Sequence, residues 1–311
     1  MLGDEADSPR GRVQLIRTLV ATEAAPSKEL AGHLDACLVC RACETVCPPG
    51  VPFGRIMEGA REVLSERRKP GRVRGFVTRI GLGTIADHGR LAFAARLADL
   101  YARSPLAALS RRIGPIAWVS SLAPTREGKP YQPAETEDAD VCFFAGCVMR
   151  ETFGDSERAT VRVIERSGHR VSAPIEQVCC GALHAHSGDG EQARRLARYN
   201  IDAFAGSENV IAVNAAGCGA HMKAYGDLLH DDPAWHERAL AFARRVRETR
   251  SGRERDREAD RRQDPSAAAR RLPGRVPSRA RATHPTAAAG TPPRHRRCDA
   301  RRDPRRGTVL W

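Results

Sequence analysis

A mixed α+β chain is predicted: an α-helical cysteine-bearing segment, then an α/β unit with helices packed on a sheet, then a disordered tail. Three observations predict it. Residues 37–47 read CLVCRACETVC and are followed by Pro48 and Pro49. Between residues 137 and 249 short apolar runs alternate with amphipathic helical patterns, the pattern of a sheet covered by helices. Residues 250–311 lack isoleucine, phenylalanine and tyrosine and are crowded with arginine, proline and alanine. Such a segment buries too little apolar surface to offset its ordering entropy.

The 311 residues exceed one usual domain, and the first zone expected is 1–66. Its Cys37, Cys40, Cys43 and Cys47 have the spacing C-x2-C-x2-C-x3-C-P, the bacterial ferredoxin run. Three thiolates two residues apart can wrap one 4Fe-4S cube, and the fourth points away from it. In two-cluster ferredoxins that fourth cysteine serves the other cluster. Zinc is the alternative, but zinc ribbons separate their cysteine pairs by a long spacer. No second such run occurs in the chain. Either Cys47 turns inward in a single-cluster variant, or the other half lies upstream. A helix over Pro52–Glu66, with Phe53, Ile56, Met57, Ala60 and Leu64 on one face, is expected to pack beside the metal site.

Residues 67–136 read as a helical connector. Leu91–Arg103 is its strongest amphipathic stretch, with Phe93, Leu97, Leu100 and Tyr101 on one face. That face is expected to pack against neighbouring domains, with docking to a membrane or partner subunit as the alternative. Gly81-Leu82-Gly83 begins a GxGxxA-like string. No strand precedes it, so a connector loop is expected and not a dinucleotide site.

Residues 137–249 form the α/β unit. Strands are expected at Val141–Ala145, from Val171 and at Val210–Val213. Helices are expected at Ser156–Ser167, stopped by Gly168, at Glu191–Ala205, from Ala220, and at Ala234–Glu248. Cys147, the pair Cys179 and Cys180, and Cys218 fall at strand ends, the edge where open α/β sheets bind ligands. Gly146, Gly181, Gly217 and Gly219 flank them and let backbone approach a bulky inorganic group. Four gathered thiols point to metal or redox work. His184 and His186 follow the pair closely enough to tune such a site by hydrogen bonds. Cys142 reads as core, and Cys298 lies in the tail.

The net charge of +13 is uneven, because residues 250–311 hold 18 arginines and no lysine against 7 acidic residues. The rest is close to neutral, and the tail has no aromatic interleaving for base stacking. No nucleic-acid partner is expected. Without a signal-peptide pattern or a run of about 20 apolar residues, the expected location is the cytoplasm, with any membrane contact peripheral.

With both cysteine sets in view, the chain resembles the iron-sulfur subunits of glycolate oxidase (glycolate dehydrogenase), within the wider group of CCG-domain proteins. That group includes subunits of lactate utilisation, anaerobic glycerol-3-phosphate dehydrogenase and heterodisulfide reductase. The resemblance covers about residues 1–249 and rests on LGDEADSPRGRVQLI, the ferredoxin run, CFFAGCVMRETFGD, CCGALHAHSGDGEQAR and NAAGCGAHMKAYGDLL. It implies electron transfer from FAD-containing partner subunits that oxidise glycolate, towards a quinone or membrane acceptor. It also implies two 4Fe-4S clusters in the intact module, with Cys37, Cys40 and Cys43 on one and Cys47 completing the other. A further cluster on Cys147, Cys179, Cys180 and Cys218 is implied, although Ala215-Ala216-Gly217-Cys218 keeps only one cysteine of the usual C-x2-C pair. Family members carry another ferredoxin run before the LGDE-like segment and a second CCG domain after the first. The expectation is a chain truncated at its N-terminus and frameshifted from about residue 250, either an electron-transfer subunit or an inactive fragment.

Overall fold

A computed structural model describes residues 4–68, 72–105, 107 and 126–249. The expected disordered tail and Cys298 lie outside these residues, as does most of the stretch between 106 and 125.

The N-terminal part is helical because its caps and apolar spacing agree. Helix α1 (Pro9–Ala21) starts with proline after Ser8, whose hydroxyl accepts from Gly11 N. Helix α2 (Lys28–Asp35) is capped in the same way by Ser27, an arrangement worth about 1 kcal/mol. After a cysteine loop come the single turn α3 (Ala42–Thr45) and α4 (Phe53–Arg67), within one residue of the expected helix. Ile16, Leu19, Ala31, Leu34, Val39, Phe53, Met57, Ala60 and Leu64 form one core among these elements.

Helices α5 (Arg72–Ala86) and α6 (His88–Arg103) meet at Asp87, whose carboxylate caps α6 through Arg90 N. Two expectations fail here. Gly81 and Gly83 are inside α5 and not in a loop; each costs up to about 1 kcal/mol against alanine, and the contacts of Ile85 and Ala86 with the following unit offset it. Phe93, Leu97 and Leu100 are not packed either, being 64%, 51% and 69% exposed. The side of α6 that packs is that of Leu91 and Ala95.

The α/β unit has a four-stranded parallel sheet in the order β2-β1-β3-β4. The strands are β1 (Val141–Phe144), β2 (Val171–Ser172), β3 (Val210–Val213) and β4 (Val246–Glu248). Val141 sits opposite both Val171 and Val210. β1 is buried along its whole length, as a strand covered on both faces must be. Between the strands run α7 (Val148–Thr152), α8 (Gly154–Arg166), α9 (Ala182–His186), α10 (Gly190–Ala203), α11 (Ala216–Lys223), α12 (Tyr225–Leu228) and α13 (His236–Arg245). The sequence pattern ran the last helix to Glu248, but the chain leaves it at Arg245, and Val246 pairs with Ile211. Three residues are too few for alternation to show against a preceding helical period.

Glu157 on α8 is fully buried, and neither carboxylate oxygen makes a hydrogen bond of good geometry. Burial pushes its carboxyl from the ordinary 4.5 up to about 7, with Asn214 opposing part of the rise. A raised carboxyl contributes stability that is fully present below pH 4.5 and lost as pH rises through 7. In urea unfolding, Glu157→Gln is expected to abolish that loss and to exceed the wild type by about 2–3 kcal/mol at pH 8.

Candidate functional site

The first cysteine loop leaves α2 at Ala36 and is curled by two residues in the left-handed region, Val39 at φ 51° and Arg41 at φ 57°. A β-branched residue there is strained. What holds it is the burial of Val39 in the first core and the contact of its amide with Cys37 Sγ at 3.4 Å. Cys40 is exposed, and Cys37, Cys43 and Cys47 are half-buried. Burial pushes the Cys43 thiol up.

The second set sits where parallel strands end. Cys147 follows β1 at the start of α7, Cys179 and Cys180 lie in the loop before α9, and Cys218 is in the first turn of α11 after β3. Their thiols form one connected chain. Cys147 Sγ is 3.5 Å from Cys179 Sγ, and Cys180 contacts both Cys179 and Cys218. The first three are buried. The hydrogen bond to Cys179, with burial, raises the Cys147 thiol far above its ordinary value. For Cys179 the bond from Cys147 acts downward, but Cys180 and burial prevail and push it up to about 12. For Cys180 the bond from Cys179 also lowers, while contact with Cys218 and burial push the thiol well above its ordinary value.

The backbone of the pair is held by buried polar side chains that the sequence reading missed. Asn200 on α10 donates to Cys179 O at 3.0 Å and accepts from Val178 N at 3.0 Å. Tyr225 O–H donates to Cys180 O at 2.7 Å. Gln177 accepts from Ala145 N at 2.8 Å and donates to Pro174 O at 2.8 Å, tying this loop to the end of β1. Asn200 left a trace in the sequence: it occupies the apolar stripe of Ala193, Leu196, Ala197 and Ile201. Gly181, at φ 89°, turns the chain into α9, where a side chain would lie 3.2 Å from Ala193 O. Its role here is helix packing.

His184 and His186 sit in different surroundings, one buried in the lining of a cleft and one beside Glu58. His184 is buried with an unpartnered Nδ1, and burial lowers its pKa. It lies in the floor of a cleft of about 1740 Å³ between α4, α5 and α10. His186 Nε2 stands 3.4 Å from Glu58 Oε1, and His221 Nδ1 stands 3.9 Å from the same oxygen. Arg41, between Cys40 and Cys43, donates to Glu58 Oε1 at 3.1 Å and to Ala220 O at 3.3 Å. Burial alone would raise the Glu58 carboxyl, but His186, His221 and Arg41 together hold it well below the usual range. This contact joins the first cysteine loop to residues just beyond Cys180 and Cys218.

Among the described residues, no group of three or more His, Cys, Asp or Glu stands in metal-coordinating geometry. In kind, the donors fit a thiolate-bound centre: Cys147, Cys179 and Cys180 are buried thiols whose ionisation burial and their neighbours suppress, with Cys218 beside them. Cys142 takes no part, being buried in β1 with Sγ 3.2 Å from Ser207 Oγ.

The model of the cysteine-rich domain family, CCG, matches residues 141–223. The chain is 33% identical over 261 residues to the probable glycolate oxidase iron-sulfur subunit of Bacillus subtilis, covering 78% of this chain and 59% of that protein. It is 33% identical over 247 residues to the glycolate oxidase iron-sulfur subunit of Escherichia coli, covering 77% and 57%. Similarity to lactate utilization protein A of an Exiguobacterium species is 34% over 110 residues, covering 35% and 45%. The chain thus spans less than two thirds of the curated relatives it matches. No solved structure matches it.

Two outcomes are expected. In the metal-free chain, iodoacetamide at pH 7.5 should label Cys40 first and leave Cys147, Cys179 and Cys180 unlabelled until denaturant is added, as read by mass spectrometry. Glu58→Ala leaves Arg41 without its carboxylate and should lower stability by about 2–4 kcal/mol. The depressed carboxyl contributes above pH 4.5 and is lost on acidification, so the difference in urea midpoint should shrink from pH 7 towards pH 3.

Proposed function

The chain is a homologue of glycolate oxidase iron-sulfur subunits that carries a cysteine-rich domain, and from that premise we propose that it is the iron-sulfur electron-transfer subunit of a flavin-dependent 2-hydroxy-acid oxidoreductase, acting on glycolate. The observation that carries this reading is the convergence of Cys147, Cys179, Cys180 and Cys218, from three strand ends, into one chain of touching thiols. A purely structural role would not gather three buried thiols and a fourth, half-buried one at a single sheet edge.

In this reading Cys37, Cys40 and Cys43 hold one 4Fe-4S cluster and Cys47 contributes to a second. Cys147, Cys179, Cys180 and Cys218 hold a further one. Such clusters accept and release single electrons, which suits them to drain a two-electron flavin donor towards a quinone or other membrane acceptor. The residues of this chain supply position and electrostatics. Gln177, Asn200 and Tyr225 fix the backbone of the cysteine pair, while Arg41 and Glu58 keep the two sets in register. The donor partners would be the FAD-containing subunits. The reading entails the cytoplasm, where thiols stay reduced, with peripheral placement at the inner face of the membrane. No helix among the described residues is long and apolar enough to cross a membrane.

Anaerobic purification followed by iron, acid-labile sulfide and EPR measurement tests the proposal. Iron and sulfide in comparable amounts and a dithionite-induced EPR signal are expected, with Cys147→Ser and Cys179→Ser each losing part of the iron. Zinc without sulfide would overturn it. Co-expression with flavin subunits, read as dye reduction with glycolate or lactate, tests the substrate.

A further inference from the structure

Helix α6 is apolar on two sides, and the fold uses only one. Its inner side supports the α/β unit: Leu91, with Ile85 and Ala86 of α5, packs directly on the cluster that contains Cys147, Cys179 and Leu196. Its outer side carries Phe93, Leu97 and Leu100 at helical spacings of four and three, each more than half exposed. Over eight residues of helix this stripe runs about 10 Å. Exposed arginines accompany it along the same face, with Arg90 three residues before Phe93, Arg96 four before Leu100 and Arg103 three after Leu100. Helix α5 adds exposed Phe76, Val77 and Ile80, with Arg79 among them. Residues 72–103 hold six arginines against two aspartates. Of those two, Asp99 is occupied by Arg103 at 3.0 Å and by Arg126 N at 3.3 Å, and Asp87 caps α6.

We propose that the outer face of α6, extended by the exposed residues of α5, docks this chain on an anionic phospholipid surface. Charge complementarity selects that occupant. Large apolar side chains flanked by arginines suit the headgroup boundary, where the rings and leucines enter the acyl edge and the guanidinium groups stay at the phosphates. Length forbids spanning: α6 has 16 residues, short of the roughly 20 that a bilayer needs. The location gives docking a use that rests on the proposed electron-transfer role. The other side of the same helix lies against Cys147 and Cys179, so docking holds that cysteine site one helix away from a lipid-dissolved acceptor.

Flotation of the full chain with vesicles tests this. Vesicles of phosphatidylcholine containing 30% phosphatidylglycerol should carry the chain, pure phosphatidylcholine should carry at least tenfold less, and 0.5 M salt should weaken the binding. The double variant Phe93→Glu/Leu97→Glu should lose at least tenfold. Arg90→Glu/Arg96→Glu, which alters exposed groups only, should do the same with unchanged circular dichroism. Equal binding by both variants, or none to anionic vesicles, overturns the proposal. So does a dimer, or a complex with flavin subunits, that buries this face in place of lipid. Binding is scored on both metal-free and metal-loaded chain. A failure here with an intact EPR signal therefore refutes the docking surface alone, and vesicle binding without iron refutes only the electron-transfer reading.

Discussion

Helix α4 carries the interaction on which both cysteine sites depend. Its Phe53, Met57, Ala60 and Leu64 complete the N-terminal core, while its polar side grips the α/β unit. Arg61 donates to Leu34 O, Cys37 O and His186 O, so one guanidinium closes the end of α2, the start of the first cysteine loop and the end of α9. Ser65 donates to Gly188 O at 2.9 Å, and Glu62 meets Arg194 at 2.8 Å. Glu58 adds the contact to Arg41 and the two histidines. A fork of five donors can satisfy several carbonyls in one geometry where a lysine could not. The register between the two thiol sets is thus set by a rigid helix and not by loops.

At the second site the backbone is fixed independently of the thiols. Gln177, Asn200 and Tyr225 are all buried, and each is hydrogen-bonded. A fully paired polar network in a low-dielectric interior specifies one arrangement, because any slip leaves a donor or acceptor stranded at about 1–3 kcal/mol. The loop that carries Cys179 and Cys180 is therefore held before any ion arrives. Only the short side chains would need to move in the cluster assembly proposed above, which would keep its ordering entropy small.

How much of this was legible in the sequence depended on how local the signal was. The first cysteine run, α4 and the strands β1 and β3 could be read because their spacing lies within a dozen residues. β4 could not, since its partner Ile211 is 35 residues away and its three residues follow a helical period without a break. The exposed face of α6 was read as packing because periodicity reports amphipathicity and is silent on which side is covered. Here Leu91 and Ala95 won the interior, and Phe93, Leu97 and Leu100 were left outside. Asn200 announced itself as a polar intruder in an apolar stripe. Glu58, Arg41 and His221 gave no such sign, because their partners come together only in the folded chain. The tail after residue 250 lies outside the described residues.

Charge shows the same contrast between total and place. The excess of arginine across the chain says little about the two cysteine sets, since most of it lies beyond residue 249. What matters is where compensation is present and where it is missing. Around the first loop, Arg41 and Arg61 sit against Glu58 and backbone carbonyls, so the loop is already electrostatically closed on its inner side while Cys40 faces outward. Around the second set no positively charged group is found beside the thiols among the described residues, and burial lowers the pKa of His184 and His221. The buried thiols of Cys147, Cys179 and Cys180, all pushed up by burial and by one another, stay protonated at neutral pH and are inert as nucleophiles. Under the proposed function, a bound cation would reverse that balance by stabilising the thiolates that burial alone disfavours. The buried thiols of the second site are therefore silent towards ordinary thiol chemistry, and under the proposed function the same burial is what a bound cation would overcome.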